Sequence, residues 1–252
     1  MDLYTRSLES TNVEIQFTYK INSFGKYTIG SDFFSEGIGY EERVIDLVFP
    51  REYEDVEITE LEEFAFYESF YYTDRVNIYL SSEMSVLGRK SFSTDTGAMY
   101  PTIIDFINIH DNIKEIQDLV FAGAGISSIY IPSSVTTISA SSYSSSPFYG
   151  GSSSLVIYTD VANASSKPSG WSTYWNCKSS SATYTTNYGY TLEQYKSAVG
   201  LTFAPNGEEI SGAEVETAEN VDSYKVDNSY LEEMLLDKKE YIVLPKKQVK
   251  IA

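Results

Sequence analysis

Ile107-Asn-Ile109-His-Asp-Asn-Ile113-Lys-Glu-Ile116-Gln-Asp-Leu-Val-Phe121 is followed by Ile129-Tyr-Ile131-Pro-Ser-Ser-Val135-Thr-Thr-Ile138-Ser-Ala-Ser-Ser-Tyr143. Counted from the first Ile of each copy, the later apolar residues fall at +2, +6, +9 and +14 both times. Neither a helical period nor plain strand alternation gives that spacing. It fits a short Ile-x-Ile strand, a turn, a second apolar touch and a closing aromatic. A unit this small cannot bury its apolar side alone, so it must stack on a neighbour.

The same five offsets extend outward. Ile78, Leu80, Met84, Leu87 and Phe92 form a clean copy, and Ile15, Phe17, Ile21, Phe24 and Ile29 fit it too. Leu47, Phe49, Ile58, Leu61 and Phe66 keep the pattern with about five extra residues around Arg51–Asp55. Leu155-Val-Ile157-Tyr-Thr159 starts a partial sixth. Extra residues between copies fall mostly after the closing aromatic, at 30–43, 67–75 and 93–102, and read as loops. Both tryptophans lie in Lys167-Pro-Ser-Gly-Trp171-Ser-Thr-Tyr174-Trp175-Asn176, which suits a cap over an open solenoid end. Tyr184–Tyr190 could add a last extended piece. Thr191-Leu-Glu-Gln-Tyr-Lys-Ser-Ala-Val199 reads as a short helix with a Thr N-cap.

Composition bounds the function. The chain has 252 residues, 22 tyrosines and a formal net charge of −18. That balance repels nucleic acid and anionic membranes. No segment approaches a membrane span. One cysteine, Cys177, and one histidine, His110, leave no disulfide framework and no Cys/His metal site. Charge is uneven: the first half is strongly acidic, especially 52–68, whereas Leu119–Thr159 holds no Asp, Glu, Lys or Arg. Met1-Asp-Leu-Tyr-Thr-Arg lacks the basic and apolar regions of a signal peptide, so the chain is either cytosolic or has lost a leader.

Ile126-Ser-Ser-Ile129-Tyr-Ile131-Pro132-Ser-Ser-Val135-Thr-Thr-Ile138 and the step Phe121-Ala-Gly123-Ala-Gly125-Ile126 resemble the BspA-like, bacterial surface-antigen type of leucine-rich repeat. Lys167–Asn176 resembles the terminal unit of such proteins. The likeness is specific over about 104–199 and weaker over 13–103, where Pro is missing after most strands and the strand starts drift through intervals of 32, 31, 29 and 22 residues. It implies a mainly β fold with minor α: a leucine-rich-repeat solenoid of about five to six parallel strands, irregular or 3-10 connections and an aromatic cap of Trp171, Tyr174 and Trp175. It implies a monomeric, non-enzymatic adhesion module, without cofactor or metal, extracellular or on a cell surface. The partner would be a protein or carbohydrate macromolecule. The alternatives are a structural spacer presenting a C-terminal module, and a cytoplasmic location. The corresponding division is an N-terminal segment 1–12 without a clear element, the solenoid 13–199 with its cap around 166–199, and an acidic extension 200–252. That extension is either a linker with a docking element or part of a further module, with a helix over 230–237 and a strand-like run at 241–245.

Candidate chemistry is sparse. His110 beside Asp105 and Asp111 stands at a strand end, but a lone His without a second ligand or a nucleophile motif is a structural residue. Glu62/Glu63, Glu208/Glu209 and Glu232/Glu233 read as solvated acids, and Thr94-Asp-Thr-Gly97 as a loop rather than a protease triplet. Asn163-Ala-Ser165 is a glycosylation sequon of use only in a eukaryotic secretory pathway. Binding residues are sought on the strands instead. If Ile107 and Ile109 point inward, their neighbours point out. That register places Asp46, Asn77, Tyr79, Phe106, Asn108, Ser128, Tyr130 and Tyr158 on one exposed ribbon, an aromatic stripe suited to protein or glycan recognition. Substitution by Ser at Tyr79, Phe106 or Tyr130 is then expected to leave the melting temperature nearly unchanged.

Overall fold

The structure is a computed structural model that describes residues 2–5, 13–31, 43–70, 74–94, 101–200 and the pairs 209–210, 226–227 and 241–242. Along the chain, β1 (Asp2–Thr5), β2 (Val13–Ile21) and β3 (Tyr27–Ser31) come first. The coils follow. The first holds β4 (Arg43–Val48), β5 (Glu52–Tyr53) and β6 (Val56–Leu61). The second holds β7 (Asp74–Tyr79) and β8 (Val86–Leu87), and the third β9 (Ile103–Ile107) and β10 (Glu115–Ile116). The fourth holds β11 (Gly125–Ile126), β12 (Ser128–Tyr130) and β13 (Thr137–Ile138). The fifth holds β14 (Val156–Thr159) and β15 (Gly170–Trp171). A small hairpin of β16 (Cys177–Ser179) and β17 (Ala182–Thr183) leads to β18 (Thr185–Tyr188) and to α1 (Leu192–Val199). Further on, β19 (Glu209–Ile210) pairs with β20 (Val226–Asp227), and β21 (Tyr241–Ile242) runs parallel to β1.

The chain is thus mainly β, with one helix among the described residues, wound as a parallel solenoid of about five turns. Each coil has three sides. The Ile-x-Ile strands stack in parallel as β4-β7-β9-β11 and continue as β12-β14-β18. The Val-x-x-Ile segment, expected as a turn, is a second parallel column, running β3-β6-β8-β10-β13-β15. On the third side Phe66, Phe92, Phe121 and Phe148 stack in file, with centroids 5.6 to 6.1 Å apart and planes within 15°. Alternate amides there reach the next coil: Phe66 N–H donates to Ser91 O (2.7 Å), Phe92 N–H to Val120 O (2.9 Å) and Phe121 N–H to Pro147 O (2.8 Å). Intervening amides bond three residues back, as Ser91 N–H does to Gly88 O and Ala122 N–H to Leu119 O. In the first three coils a left-handed residue stands two before the ring: Phe64, Lys90 and Leu119, with φ near +60°. The two kinds of bond together satisfy these amides, as a buried ladder requires. The apolar offsets fill the centre: Leu47, Phe49, Ile58, Ile78, Met84, Leu87, Ile113, Ile116, Ile131, Val135 and Ile138 are all buried.

Three expectations are corrected. Ile15–Ile29 is no repeat: β2 and β3 form an antiparallel hairpin, paired Phe17↔Ser31 through Ile21↔Tyr27. Its turn is set by the Asn22 carboxamide, which accepts from Phe24 N–H and Lys26 N–H, and by Gly25 at φ +73°. Phe17 and Ile29 reach the core, but Ile21 and Phe24 are 65% and 83% exposed at the tip. Within 1–12, Asp2–Thr5 pairs antiparallel with β2 rather than lacking an element. Tyr143 does not close the fourth coil. It stands 40% exposed in a 3-10 turn (Tyr143–Ser145), and Phe148 takes the file position five residues later.

Trp171 is part of the fifth coil, in register with Ile138, and its indole N–H donates to Val135 O (2.7 Å). Trp175 packs beside it at 4.7 Å, while Tyr174 points outward, 41% exposed. β18 extends the strand column over β14. The inter-copy loops at 30–43 and 93–102 fall largely outside the described residues, that at 67–75 only at 71–73, and the expected helix over 230–237 entirely. Of the run 241–245, Tyr241 and Ile242 are in β21.

Candidate binding face

The strand column sets two outward rows. Asp46↔Asn77↔Phe106 pair across β4, β7 and β9, and Ser128↔Val156↔Thr185 across β12, β14 and β18. The second row holds Val48↔Tyr79 and Tyr130↔Tyr158↔Asn187. The register thus sets Asp46, Asn77, Tyr79 and Phe106 in the sheet β4-β7-β9-β11 and Ser128, Tyr130 and Tyr158 in the sheet β12-β14-β18. The expectation of exposure does not hold: Asn77, Tyr79, Phe106, Asn108 and Tyr130 are all buried, at 8% exposure or less. Ser128 and Tyr158 are half-buried. The side chain of Asp46 lies outside the described residues. Strand alternation fixes which way a side chain points, and says nothing of what covers it.

Asn108 is a structural residue. Along this column the N–H of the residue after the strand donates to the coil above, as Phe49 does to Tyr79 O and Ile131 to Tyr158 O. At Leu80 the Asn108 side chain takes over: its carboxamide oxygen accepts from Leu80 N–H and its NH2 donates to Leu80 O (3.1 Å). A register shift between Val76 and Asn77 moves the backbone partner away, and Asn108 fills the gap. Tyr79 and Phe106 pack together at 5.6 Å.

Over the C-terminal part of the face lies α1. Thr191 caps it, with its hydroxyl accepting from Gln194 N–H and the Gln194 side chain returning to Thr191 N–H. Tyr195 is its one buried residue. The Tyr195 ring sits 5.6 Å from Tyr130 and 5.1 Å from Tyr158, and its hydroxyl is 3.4 Å from Ser128 Oγ. Burial holds the Tyr195 phenol up at about 12 and the Tyr130 phenol well above its ordinary range, with Asp160 and Asp111 adding to the latter. The role of α1 was not legible in its sequence, where Leu192/Tyr195/Val199 marks an apolar face but not its target.

His110 is a stitch between coils. Its Nε2–H donates to Ser81 O (2.9 Å) and its Nδ1 accepts from Asn112 N–H (3.2 Å), so the ring is held neutral. Burial lowers its pKa, against the Ser81 carbonyl and nearby Asp111 and Glu83. Asp105 is taken by Arg75 through two bonds of 2.7 Å, and Asp111 accepts from Ser134 Oγ (3.2 Å). Glu62 accepts from Lys20 and Thr28, and Glu63 from Arg89. Thr94 is buried, and the rest of its tetrapeptide lies outside the described residues. Asn163 caps the 3-10 turn Ala164–Ser166. Cys177 is a buried free thiol, its pKa raised by burial. Among the described residues no group of three His, Cys, Asp or Glu is placed to hold a metal, and no helix is long and apolar enough to cross a membrane.

No curated protein and no solved structure matches the chain. A family model does: the BspA type leucine-rich repeat region, in six copies over residues 52–149. That span runs from β5 to the residue after Phe148 and holds β6, β8, β10 and β13 of the second column together with the whole phenylalanine file. Residues 52–149 are thus a BspA-type leucine-rich-repeat region.

Proposed function

We propose that this chain is an adhesion module that recognises a protein or glycan through the sheet face of its repeats, from an extracellular or cell-surface position. Leucine-rich-repeat solenoids are in general protein-binding scaffolds and typically non-enzymatic, and repeats of the BspA type are typically found on surface proteins. One observation carries the choice of face: the chain seats an aromatic segment of its own there, Tyr195 between Tyr130 and Tyr158. Tyrosine presents a large apolar ring with a polar tip and suits such surfaces. Ser128, Tyr130 and Tyr158 are the part of this face we assign to recognition; the buried Asn77, Tyr79, Phe106 and Asn108 are its structural support, and Asp46 belongs to the same register.

The test is an array of proteins and glycans probed with the purified chain. Specific capture that Tyr158→Ser lowers about tenfold or more, at unchanged melting temperature, supports the reading. Capture unaffected by that change moves binding to another surface. A blank array, with residues 201–252 instead recruiting whatever the chain carries, favours the spacer.

A further inference from the structure

Three features stand out beyond that reading. The hairpin tip exposes Ile21 and Phe24, and nothing in the structure shows what covers it. The exposed Tyr143 and half-buried Tyr149 form a pair 6.2 Å apart beside serine hydroxyls, with nothing seated on it among the described residues. The third feature has an occupant on the page, which is α1.

Resting on the sheet-face reading, we propose that Ser128, Tyr130 and Tyr158 form a tyrosine socket that takes a helix presenting one tyrosine from a partner protein, and that α1 fills this socket in cis until the partner displaces it. The walls are two rings and a hydroxyl fixed on adjacent parallel strands, Ser128↔Val156 and Tyr130↔Tyr158. The ring of the occupant lies against both rings, and its hydroxyl meets Ser128 Oγ at 3.4 Å. That contact selects tyrosine over phenylalanine, because a buried hydroxyl needs a polar partner. Tyr190 adds a third wall, packed edge-on against Tyr158 at 5.2 Å.

α1 is built to leave at small cost. It has eight residues, and a helix this short draws its stability from docking rather than from itself. Tyr195 is its single buried anchor, while Leu192, Lys196 and Val199 are half-buried. Glycines bracket it. Gly189 has φ +74° with its nearest neighbour atom, Ala162 O, at 3.9 Å from where a Cβ would stand; Gly200 has φ +67° and open space around it. With Tyr190 N–H held on Thr159 O, the helix can leave by turning at Thr191 and at Gly200, beyond the ladder of β14 and β18. Occupancy by α1 lowers the apparent affinity for any helix in trans by the fraction of time the socket is closed.

The probe is a synthetic peptide of residues 190–200, titrated into the full chain and followed through the amide NMR signals of Tyr130 and Tyr158. With Tyr195→Ala in the protein the peptide binds at least about tenfold more tightly than to the wild-type chain. A peptide with Ala in place of its central tyrosine binds neither, and adding Tyr130→Ala to the protein abolishes binding. Equal affinity for wild-type and Y195A protein, or no binding to a folded Y195A chain, overturns the socket. If Y195A does not fold, hydrogen exchange on the wild-type chain decides. Amides of α1 exchanging at least about tenfold faster than those of β12 and β14 support a displaceable helix, and equal protection rejects it. The array and the peptide fail separately: peptide binding with a blank array keeps the socket and removes the adhesion reading, and the reverse removes only the socket.

Discussion

Between residues 51 and 118 the coils are tied to one another by charge. Arg51 reaches Glu83 and Arg75 reaches Asp105, both at 2.7 Å, and Arg89 spans three coils, bonding Glu63 on one side and Asp118 on the other. Between 119 and 159 no charged residue exists, and apart from Ser133 on Asp160, Ser134 on Asp111 and Lys178 on Ser153 O the side-chain ties are neutral. The Trp171 indole N–H donates to Val135 O (2.7 Å), Ser172 Oγ to Ala140 O (2.6 Å), Ser146 Oγ to Trp175 O (3.1 Å) and Tyr184 OH to Phe148 O (2.9 Å). The two regions nevertheless share one backbone: the same Val-x-x-Ile column and the same file of phenylalanines run through both. The side-chain ties are therefore interchangeable, and the stacked rings and inter-coil amides are what specify the coil.

The largest effect should follow from breaking what is shared. Phe92 and Phe121 are almost fully buried, one in each region, and each stacks on a ring above and below. Phe92→Ala and Phe121→Ala should each cost about 3–5 kcal/mol, from lost burial and the cavity left in the file. Chemical denaturation of the two variants should give losses within about 1 kcal/mol of each other, since a solenoid's stability is mainly a sum over neighbouring units. A large loss at Phe92 alone would mean that the charged region, and not the file, holds the fold.

That file also marks what the sequence discloses. The offsets located the inner residues of four coils because a stacked coil repeats its inward positions, and Ile129-x-Ile131 with Val135-x-x-Ile138 falls where the structure puts it. Apolar spacing cannot tell a parallel coil from a hairpin, so Ile15–Ile29 passed as a repeat; the turn residues Asn22 and Gly25 were the contrary signal. Tyr143 met the +14 offset, yet Phe148-x-Gly150 copies Phe121-x-Gly123, including the left-handed glycine, and locates the real ring. The candidate face was legible as a register but not as a surface. Burial of Tyr79 and Phe106 and the landing of Tyr195 on Tyr130 depend on segments distant in sequence, which a local pattern does not report. Serine at Tyr79 or Phe106 is accordingly expected to lower the melting temperature, contrary to the expectation from an exposed ribbon.

A smaller effect separates the regions by pH. In the fold His110 is neutral and its pKa is lowered by burial, whereas in the unfolded chain it titrates near the ordinary value of about 6.5. The unfolded chain thus takes up the proton first as pH falls. The contribution of His110 is present above the unfolded pKa and is lost as pH falls through the lower folded value. Melting temperature should drop between about pH 7.5 and about pH 5.5, a window above most carboxylate titration, and the drop should shrink in His110→Gln. Because the region 119–159 has no group that titrates in this window, Phe121→Ala should leave the drop intact. An identical pH profile in His110→Gln would show that the Ser81 contact does not depend on the neutral ring.

Salt should produce the smallest effect and the sharpest contrast. Arg75 faces Asp105 through a two-bond fork, but their side chains are 43% and 26% exposed, so water and ions screen the pair. Arg75→Ala should cost about 0.5–1 kcal/mol at low ionic strength, and most of that should vanish by about 0.5 M salt. Ser172→Ala removes a neutral tie of similar reach, from Ser172 Oγ to Ala140 O. It should cost about 0.5–1.5 kcal/mol, and that loss should be the same at both salt concentrations, because no net charge is screened. Paired denaturation curves at two ionic strengths decide it. Equal salt sensitivity in the two variants would mean that the acidic field of the whole chain, at net −18, reaches the charge-free coils and that the division into two kinds of stitching is not energetic.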